Sequence, residues 1–125
     1  MGTTFLELSP VLQVRDVPAA IAYYVDRLGF ELRFRDSETD PRYAGMRRHG
    51  VELHLQWHDE TSFRPERGDA LMLRIRVADP DALFAEYADK GVFHEGTHLR
   101  DTPWGTREFG FNDLNGHGLT FYRAR

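Results

Sequence analysis

Glu52 and His54 are the residues of this chain whose types and spacing are best suited to chemistry. Two residues apart on a β-strand, their side chains would lie on one face of a sheet. Such a pair could supply a general base, with Glu52 as the base, or two ligands for a metal ion. It could also be a hydrogen-bonded couple on a sheet surface, and the spacing alone leaves these alternatives open.

The spacing of the other histidines is less favourable for a metal site than that of Glu52 and His54. The chain has six histidines and no cysteine, which excludes disulfides, thiolate catalysis and cysteine-ligated zinc. In extended chain, His54 and His58 would lie about 13 Å apart, as would His94 and His98, too far to share an ion easily. His117 follows Asn115-Gly116 and is predicted to be a solvated turn residue. The motifs of serine hydrolases, phosphate-binding loops and zinc proteases are all missing from the sequence.

Length, composition and net charge limit the class of protein to which this chain can belong. The chain has 125 residues, which fits one compact domain over 1–125, and 41% hydrophobic residues, which is enough for a core. Its net charge of −4 argues against nucleic acid as a partner. The sequence shows neither a signal peptide nor an apolar run of membrane-spanning length, so no membrane partner is predicted and a cytoplasmic location is expected.

One series of elements occurs twice along the chain. In each copy a strand leads to an Asp N-cap, an amphipathic helix, a Gly C-cap and three more strands. Val14 and Asp16 recur 63 residues later as Val77 and Asp79. The first module covers about 5–58, with strands predicted at 8–14, 30–35, 43–48 and 51–57. The second covers about 69–125, with strands predicted at 71–77, 92–95, 107–112 and 119–122. The class is therefore α+β, with two tandem βαβββ modules joined by a polar linker at 58–69.

Strand alternation separates an aliphatic side, expected to pack on the helices, from a mixed polar and aromatic side. The polar side is predicted to hold Ser9, Gln13, Glu52, His54, Gln56, Met72, Arg74, Arg76, Thr120 and Tyr122. One face of an antiparallel sheet is often simply solvated, so this pattern alone does not establish a binding site.

Several segments resemble the vicinal oxygen chelate superfamily of glyoxalases, bleomycin resistance proteins and dioxygenases. They are Pro10-Val-Leu-Gln-Val-Arg-Asp16, Tyr23-Tyr-Val-Asp-Arg-Leu-Gly-Phe30, Gly50-Val-Glu-Leu-His-Leu55, Pro103-Trp-Gly-Thr-Arg-Glu-Phe109 and Asp113-Leu-Asn-Gly116. The segment at 103–109 is most similar to the bleomycin-resistance branch. The resemblance implies a mixed sheet curled around a ligand cleft, and a homodimer whose clefts are built jointly by two chains.

The resemblance also implies four positions for metal ligands, at the first and last strand of each module. Here those positions hold Ser9, Glu52, Met72 and Thr120, and only Glu52 could bind a divalent cation well. Catalytic metals need about three protein ligands. We therefore expect neither a metal cofactor nor a catalytic residue, and the balance favours a binding protein over an enzyme.

The function implied is binding and sequestration of a small molecule, a bleomycin-like antibiotic or a related metabolite. The alternative is a metal-dependent lyase, isomerase or dioxygenase that uses Glu52 and His54. Trp104 is predicted either to stack on the ligand or to plug the cleft or a dimer interface. Arg74 and Arg76 favour an anionic ligand over a cationic glycopeptide, unless they pair with Glu52 and Glu108. The predicted ligand site comprises Glu52, His54, Arg74, Trp104, Glu108 and Tyr122.

Overall fold

The structure is a computed structural model that describes residues 2–125. It contains two four-stranded mixed sheets, each accompanied by one helix. The first sheet and its helix comprise β1 (Val11–Val14), α1 (Val17–Ala22), β2 (Glu31–Arg35), β3 (Tyr43–Arg48) and β4 (Val51–Trp57). The second sheet and its helix comprise β5 (Met72–Arg76), α2 (Pro80–Tyr87), β6 (Arg100–Asp101), β7 (Thr106–Asn112) and β8 (Gly118–Ala124). The first sheet has the order β1-β4-β3-β2, with β1 parallel to β4. The second sheet has the order β5-β8-β7-β6, with β5 parallel to β8. The predicted α+β class and repeated order are confirmed.

Both helices begin at the Asp N-caps that the sequence indicates, but the prediction of Gly91 as the C-cap of α2 is wrong, because α2 ends at Tyr87 with Ala88 as its C-cap. The Asp16 carboxylate accepts the Ala19 N–H at 2.9 Å, and the Asp79 carboxylate accepts the Ala82 N–H at 3.1 Å. Each cap satisfies an amide that the first helical turn leaves without a backbone acceptor. The chain leaves the helical regions through Gly29 and Gly91, whose φ angles of 79° and 72° suit glycine. In the first half, a π-helical turn at Tyr23–Arg27 follows α1 directly.

The core lies between the helices and the aliphatic sides of both sheets, as the alternation predicts. Its strand contributions include Leu12, Val14, Leu53, Leu55, Ile75, Phe109, Phe111, Leu119 and Phe121. Reciprocal hydrogen bonds join the two halves through it. The Tyr24 hydroxyl donates to the buried Asp113 carboxylate at 2.6 Å, and the Tyr87 hydroxyl donates to the Leu28 carbonyl at 2.7 Å. Tyr24 and Tyr87 are 63 residues apart, the repeat distance of the two N-caps.

The strand predicted at 92–95 is wrong. Val92 is buried and the Phe93 ring packs against the Phe84 ring with centroids 4.7 Å apart, while residues 94–97 form a turn. The edge strand of the second sheet is instead β6, which pairs Arg100 with Glu108. The first strand is also shorter than predicted and begins at Val11, because Pro10 has no N–H to donate to the ladder.

His117 is fully buried, so the prediction that it is a solvated turn residue is wrong. Its Nδ1 accepts the Leu71 N–H at 2.9 Å, and its Nε2 lies 2.8 Å from the Gln13 carbonyl. The ring stacks on Phe63, a buried residue of the otherwise polar linker. His117 therefore joins the linker, the first strand and the last hairpin. No helix within residues 2–125 is both long and apolar enough to cross a membrane.

Candidate functional site

The first-sheet cluster consists of Tyr43, Arg47, Glu52 and His54 on the adjacent strands β3 and β4. His54 Nε2 lies 2.9 Å from Glu52 Oε2, and His54 Nδ1 lies 2.8 Å from the Tyr43 hydroxyl. Since an ionised carboxylate can only accept, Nε2 donates to Glu52 and a neutral ring accepts from Tyr43 at Nδ1. Arg47 Nη1 lies 3.3 Å from the other Glu52 oxygen. Both His54 nitrogens and both Glu52 oxygens are therefore engaged by neighbours.

These contacts keep Glu52 ionised. The hydrogen bond from His54, together with the nearby Arg47 charge, holds the pKa of the Glu52 carboxyl below its usual value. A carboxylate with a lowered pKa is a weaker general base. Phe34 covers the cluster, with its ring edge-to-face on His54 at a centroid distance of 5.3 Å. Gly45 makes room for this ring, because a Cβ there would clash with the Phe34 side chain.

The second-sheet cluster consists of Arg74, Arg100, Trp104, Thr106, Glu108 and Tyr122. Glu108 lies at its centre and is only 5% exposed. Its Oε1 accepts from the Thr106 hydroxyl, from Trp104 Nε1 at 3.3 Å and from Arg74 Nη2 at 3.2 Å. Burial acts to raise the pKa of Glu108, but these three hydrogen bonds outweigh it and the pKa lies below its usual value.

Two arginines lie over aromatic rings of the second-sheet cluster. The Arg74 guanidinium lies 4.5 Å from the centroid of the Tyr122 ring, and the Arg100 guanidinium lies 5.3 Å from that of Trp104. Such stacking is favourable and orients the planar cation. The Trp104 ring is nevertheless 58% exposed. This large apolar surface is held in place by Glu108 and remains accessible.

The six predicted site residues therefore fall into two groups. Glu52 and His54 belong to the first-sheet cluster, whereas Arg74, Trp104, Glu108 and Tyr122 belong to the second. Within residues 2–125 no hydrogen bond or ion pair joins the groups, although Glu52 and Arg74 line one cavity of about 450 Å³. A larger cavity of about 570 Å³, between Tyr87 and the β3–β4 turn, contains none of the six.

Comparison with known proteins decides the family. The family model described as the Glyoxalase/Bleomycin resistance protein/Dioxygenase superfamily matches residues 8–121. The chain belongs to this superfamily. A bleomycin resistance protein of Geobacillus stearothermophilus is 25% identical over 131 aligned positions, which cover 94% of this chain and 96% of that protein. A bleomycin resistance protein of Staphylococcus aureus matches to the same extent.

Solved structures of the superfamily have the same fold. The bleomycin-binding protein of Streptomyces verticillus, complexed with copper(II)-bleomycin, is 33% identical with a TM-score of 0.78, covering 96% of this chain and 97% of that one. A bleomycin resistance determinant encoded on the transposon TN5 has a TM-score of 0.81 at 20% identity, covering 97% and 99% of the two chains. The latter likeness shows the fold alone.

The residues present do not fit the metal site that the resemblance implies. Three of the four positions it implies hold Ser9, Met72 and Thr120, which are poor ligands for catalytic divalent cations. Elsewhere in residues 2–125, no group of three or more His, Cys, Asp and Glu side chains is arranged to hold an ion. Glu52 and His54 could supply two ligands at most.

Sequence reasoning missed several members of both clusters. Tyr43 and Arg47 reach the first-sheet cluster from β3, and Phe34 reaches it from β2. Strand register is the signal that could have found them, because Arg47 pairs with Glu52 and Gly45 with His54. Arg100 had no such signal, since its strand is only two residues long.

Proposed function

We propose that this chain binds and sequesters a small molecule, a bleomycin-like antibiotic or a related metabolite, without converting it. The observation that carries the proposal is Trp104, whose ring is exposed while its N–H is anchored to the buried Glu108. An aromatic surface held in this way suits stacking, which adds about 0.5–1.5 kcal/mol beyond the burial of area. The superfamily relative from Streptomyces verticillus, whose structure contains copper(II)-bleomycin, supports a ligand of this class.

The first-sheet cluster supports binding rather than catalysis. The Glu52 carboxylate and the His54 ring are already engaged with each other and with Arg47 and Tyr43. The lowered pKa of Glu52 makes it a weak base at neutral pH. Their best use is as a polar surface that accepts or donates hydrogen bonds to a ligand.

Calorimetric titration with metal-free bleomycin tests the proposal. It also distinguishes a protein that binds the drug from one that binds only related metabolites. Sub-micromolar binding at one drug per chain identifies the drug itself, and Trp104→Ala is then expected to weaken it by about tenfold. Trp57→Ala is the matched control, because Trp57 lies beside Arg42 at the end of β4, outside both clusters. If bleomycin gives no heat, planar metabolites become the ligands to test.

The enzymatic alternative predicts a different result. A lyase, isomerase or dioxygenase using Glu52 and His54 would contain stoichiometric metal and would alter its ligand. Elemental analysis of the purified protein and mass spectrometry of the recovered ligand measure both. Recovery of unchanged ligand, with affinity unaffected by chelators, supports sequestration, whereas metal-dependent conversion contradicts it.

The proposal includes a homodimer. Phe5, Leu6 and Leu8 are 95%, 90% and 86% exposed on an N-terminal arm that forms no strand in one chain. Apolar residues grouped in this way favour association. A second copy could also bring a first-sheet cluster opposite a second-sheet cluster, as the family resemblance implies.

Sedimentation at equilibrium should give twice the chain mass, and removal of residues 2–8 should shift the measured mass towards that of one chain. The cytoplasmic location stays a prediction.

A further inference from the structure

The polar side of the second sheet carries more positive charge than its neighbours neutralise. Arg74 and Arg76 lie on this side of β5, and Arg100 lies on β6 opposite Glu108. Arg74 Nη2 lies 3.2 Å and Arg100 Nη2 lies 4.0 Å from oxygens of the same carboxylate, that of Glu108. Arg76 is exposed, and no carboxylate of residues 2–125 lies within 4.0 Å of its guanidinium. Two arginines therefore share one buried carboxylate and a third has no carboxylate beside it, in a chain whose net charge is −4.

The neighbouring first sheet does not supply the missing negative charge. Glu52 lines the same cavity as Arg74 and Arg76, but it is paired with Arg47 at 3.3 Å. Adding this pair to the balance leaves the excess of positive charge unchanged. Glu108 carries a single negative charge, which Arg74 and Arg100 already share.

The excess charge lies next to the ring that the proposed function assigns to stacking. Arg100 lies over Trp104, and Arg74 lies over Tyr122, so two of the three guanidinium groups have fixed orientations. Both remain about half exposed, with side-chain exposures of 50% and 45%. A flat ligand that stacks on Trp104 would therefore meet oriented, accessible guanidinium groups at its edge.

We propose that the second-sheet cluster recognises a planar aromatic ligand that carries an anionic group, with the ring on Trp104 and the anion held by Arg76 and Arg100. This inference rests on the proposed function and narrows its ligand class to anionic metabolites in preference to cationic drugs. Guanidinium groups bind oxyanions such as carboxylate, sulfate and phosphate through paired hydrogen bonds. Glu108 acts as a positioning residue, because its Oε1 holds Trp104 and Arg74.

Three naphthalene probes that differ in charge test this inference: 2-naphthoate, its neutral amide and the cationic naphthylmethylamine. Calorimetry with the full chain is expected to show naphthoate binding about tenfold tighter than the amide, with the amine weakest. Raising the salt concentration should reduce the advantage of naphthoate, since exposed charges are screened.

Two substitutions locate the effect. Arg76→Gln is expected to weaken naphthoate binding several-fold and to leave the amide unchanged. The control is Arg123→Gln, which removes an exposed arginine from the opposite face of β8 and should affect neither probe. Arg76 and Arg123 are both exposed, so neither variant is expected to unfold the chain.

The outcomes separate this inference from the proposed function. Equal affinity for the three probes, or a preference for the amine, overturns the anion inference and leaves binding at Trp104 standing. Failure of every probe and of bleomycin to bind overturns both. Tighter binding of naphthoate that depends on Arg76 supports both.

Discussion

Glu108 acts through its neighbours, since its buried carboxylate accepts three hydrogen bonds and orients the Trp104 ring. We expect Glu108→Gln to lower the free energy of unfolding at neutral pH by about 2 kcal/mol, because the neutral amide oxygen accepts weaker hydrogen bonds than the carboxylate. It should also weaken ligand binding, because Trp104 is held less firmly. Urea denaturation and calorimetric titration of the variant measure the two effects, and a variant as stable as the native chain would contradict this role.

The same carboxylate predicts how stability depends on pH. The pKa of Glu108 is lowered in the folded chain from an ordinary value of 4.5, so its contribution is present above that value. This contribution is lost as the pH falls through the lower, folded pKa. The stability gap between the native chain and Glu108→Gln should therefore narrow below about pH 4.5. Thermal denaturation of both proteins from about pH 7 to pH 3 checks this, and a constant gap would be inconsistent with it.

His117 is a structural residue despite its place in a turn. His117→Ala removes two buried hydrogen bonds and the stacking on Phe63, so we expect a loss of about 3 kcal/mol in the free energy of unfolding. His98→Ala is a suitable control, because His98 is exposed and should cost less than about 0.5 kcal/mol. Chemical denaturation curves of the two variants compare them directly, and similar losses would show that the buried contacts contribute little.

Among the elements, those defined by local chemistry could be predicted and those defined by packing could not. The N-caps Asp16 and Asp79 depend on a single side chain and its own helix, so the sequence reveals them. The region at 92–95 begins with two residues of high strand propensity, Val92 and Phe93, but Phe93 packs in a cluster with Phe84 and Phe109. Burial of these rings outweighs the strand propensity of the segment. The two-residue strand β6 has no periodicity to detect.

Substitution of glycine by alanine should destabilise the two sheets to different extents, at Gly45 in the first sheet and at Gly110 in the second. A Cβ at Gly110 would lie 2.9 Å from the Leu119 carbonyl oxygen, which is backbone, whereas a Cβ at Gly45 would meet the Phe34 ring. Gly110→Ala should therefore cost about 1–3 kcal/mol, since the backbone must shift. Gly45→Ala should cost less, because the half-exposed Phe34 ring can turn outward and uncover His54. Urea denaturation of both variants tests the order, and the reverse order would contradict the packing argument.

At the scale of the whole molecule, the candidate site was predictable only in part. Glu52 and His54 are two residues apart, and strand periodicity was enough to propose this pair. Trp104 and Glu108 were proposed separately, and the sequence did not predict the hydrogen bond between them. The link from Arg74 to Glu108 spans 34 residues and depends on the order β5-β8-β7. A hydrophobicity pattern does not reveal strand order. For the same reason the sequence could not show that the six residues divide between two sheets.

The two tyrosines that cross between the halves should differ in their contribution to stability. Tyr24→Phe leaves the buried Asp113 carboxylate without its hydroxyl donor, so we expect a loss of about 2–3 kcal/mol. Tyr87→Phe should cost about 1 kcal/mol, because the Leu28 carbonyl keeps its bond from Arg48 Nη1 at 2.8 Å. Equilibrium unfolding of the two single variants measures both losses, and equal losses would show that the acceptor's charge is unimportant.

The hydrogen bonds of Tyr24 and Tyr87, together with the shared core, also determine how much the peptide connection between the halves contributes to their association. Because each half completes hydrogen bonds of the other, the exposed stretch at 59–62 does not by itself hold them together. Its main effect is to keep the halves at a high effective concentration. A chain nicked there would remain associated until diluted, and extra residues inserted there would cost only the small entropy of a longer loop. The anchored part of the connection begins at Phe63, beneath His117.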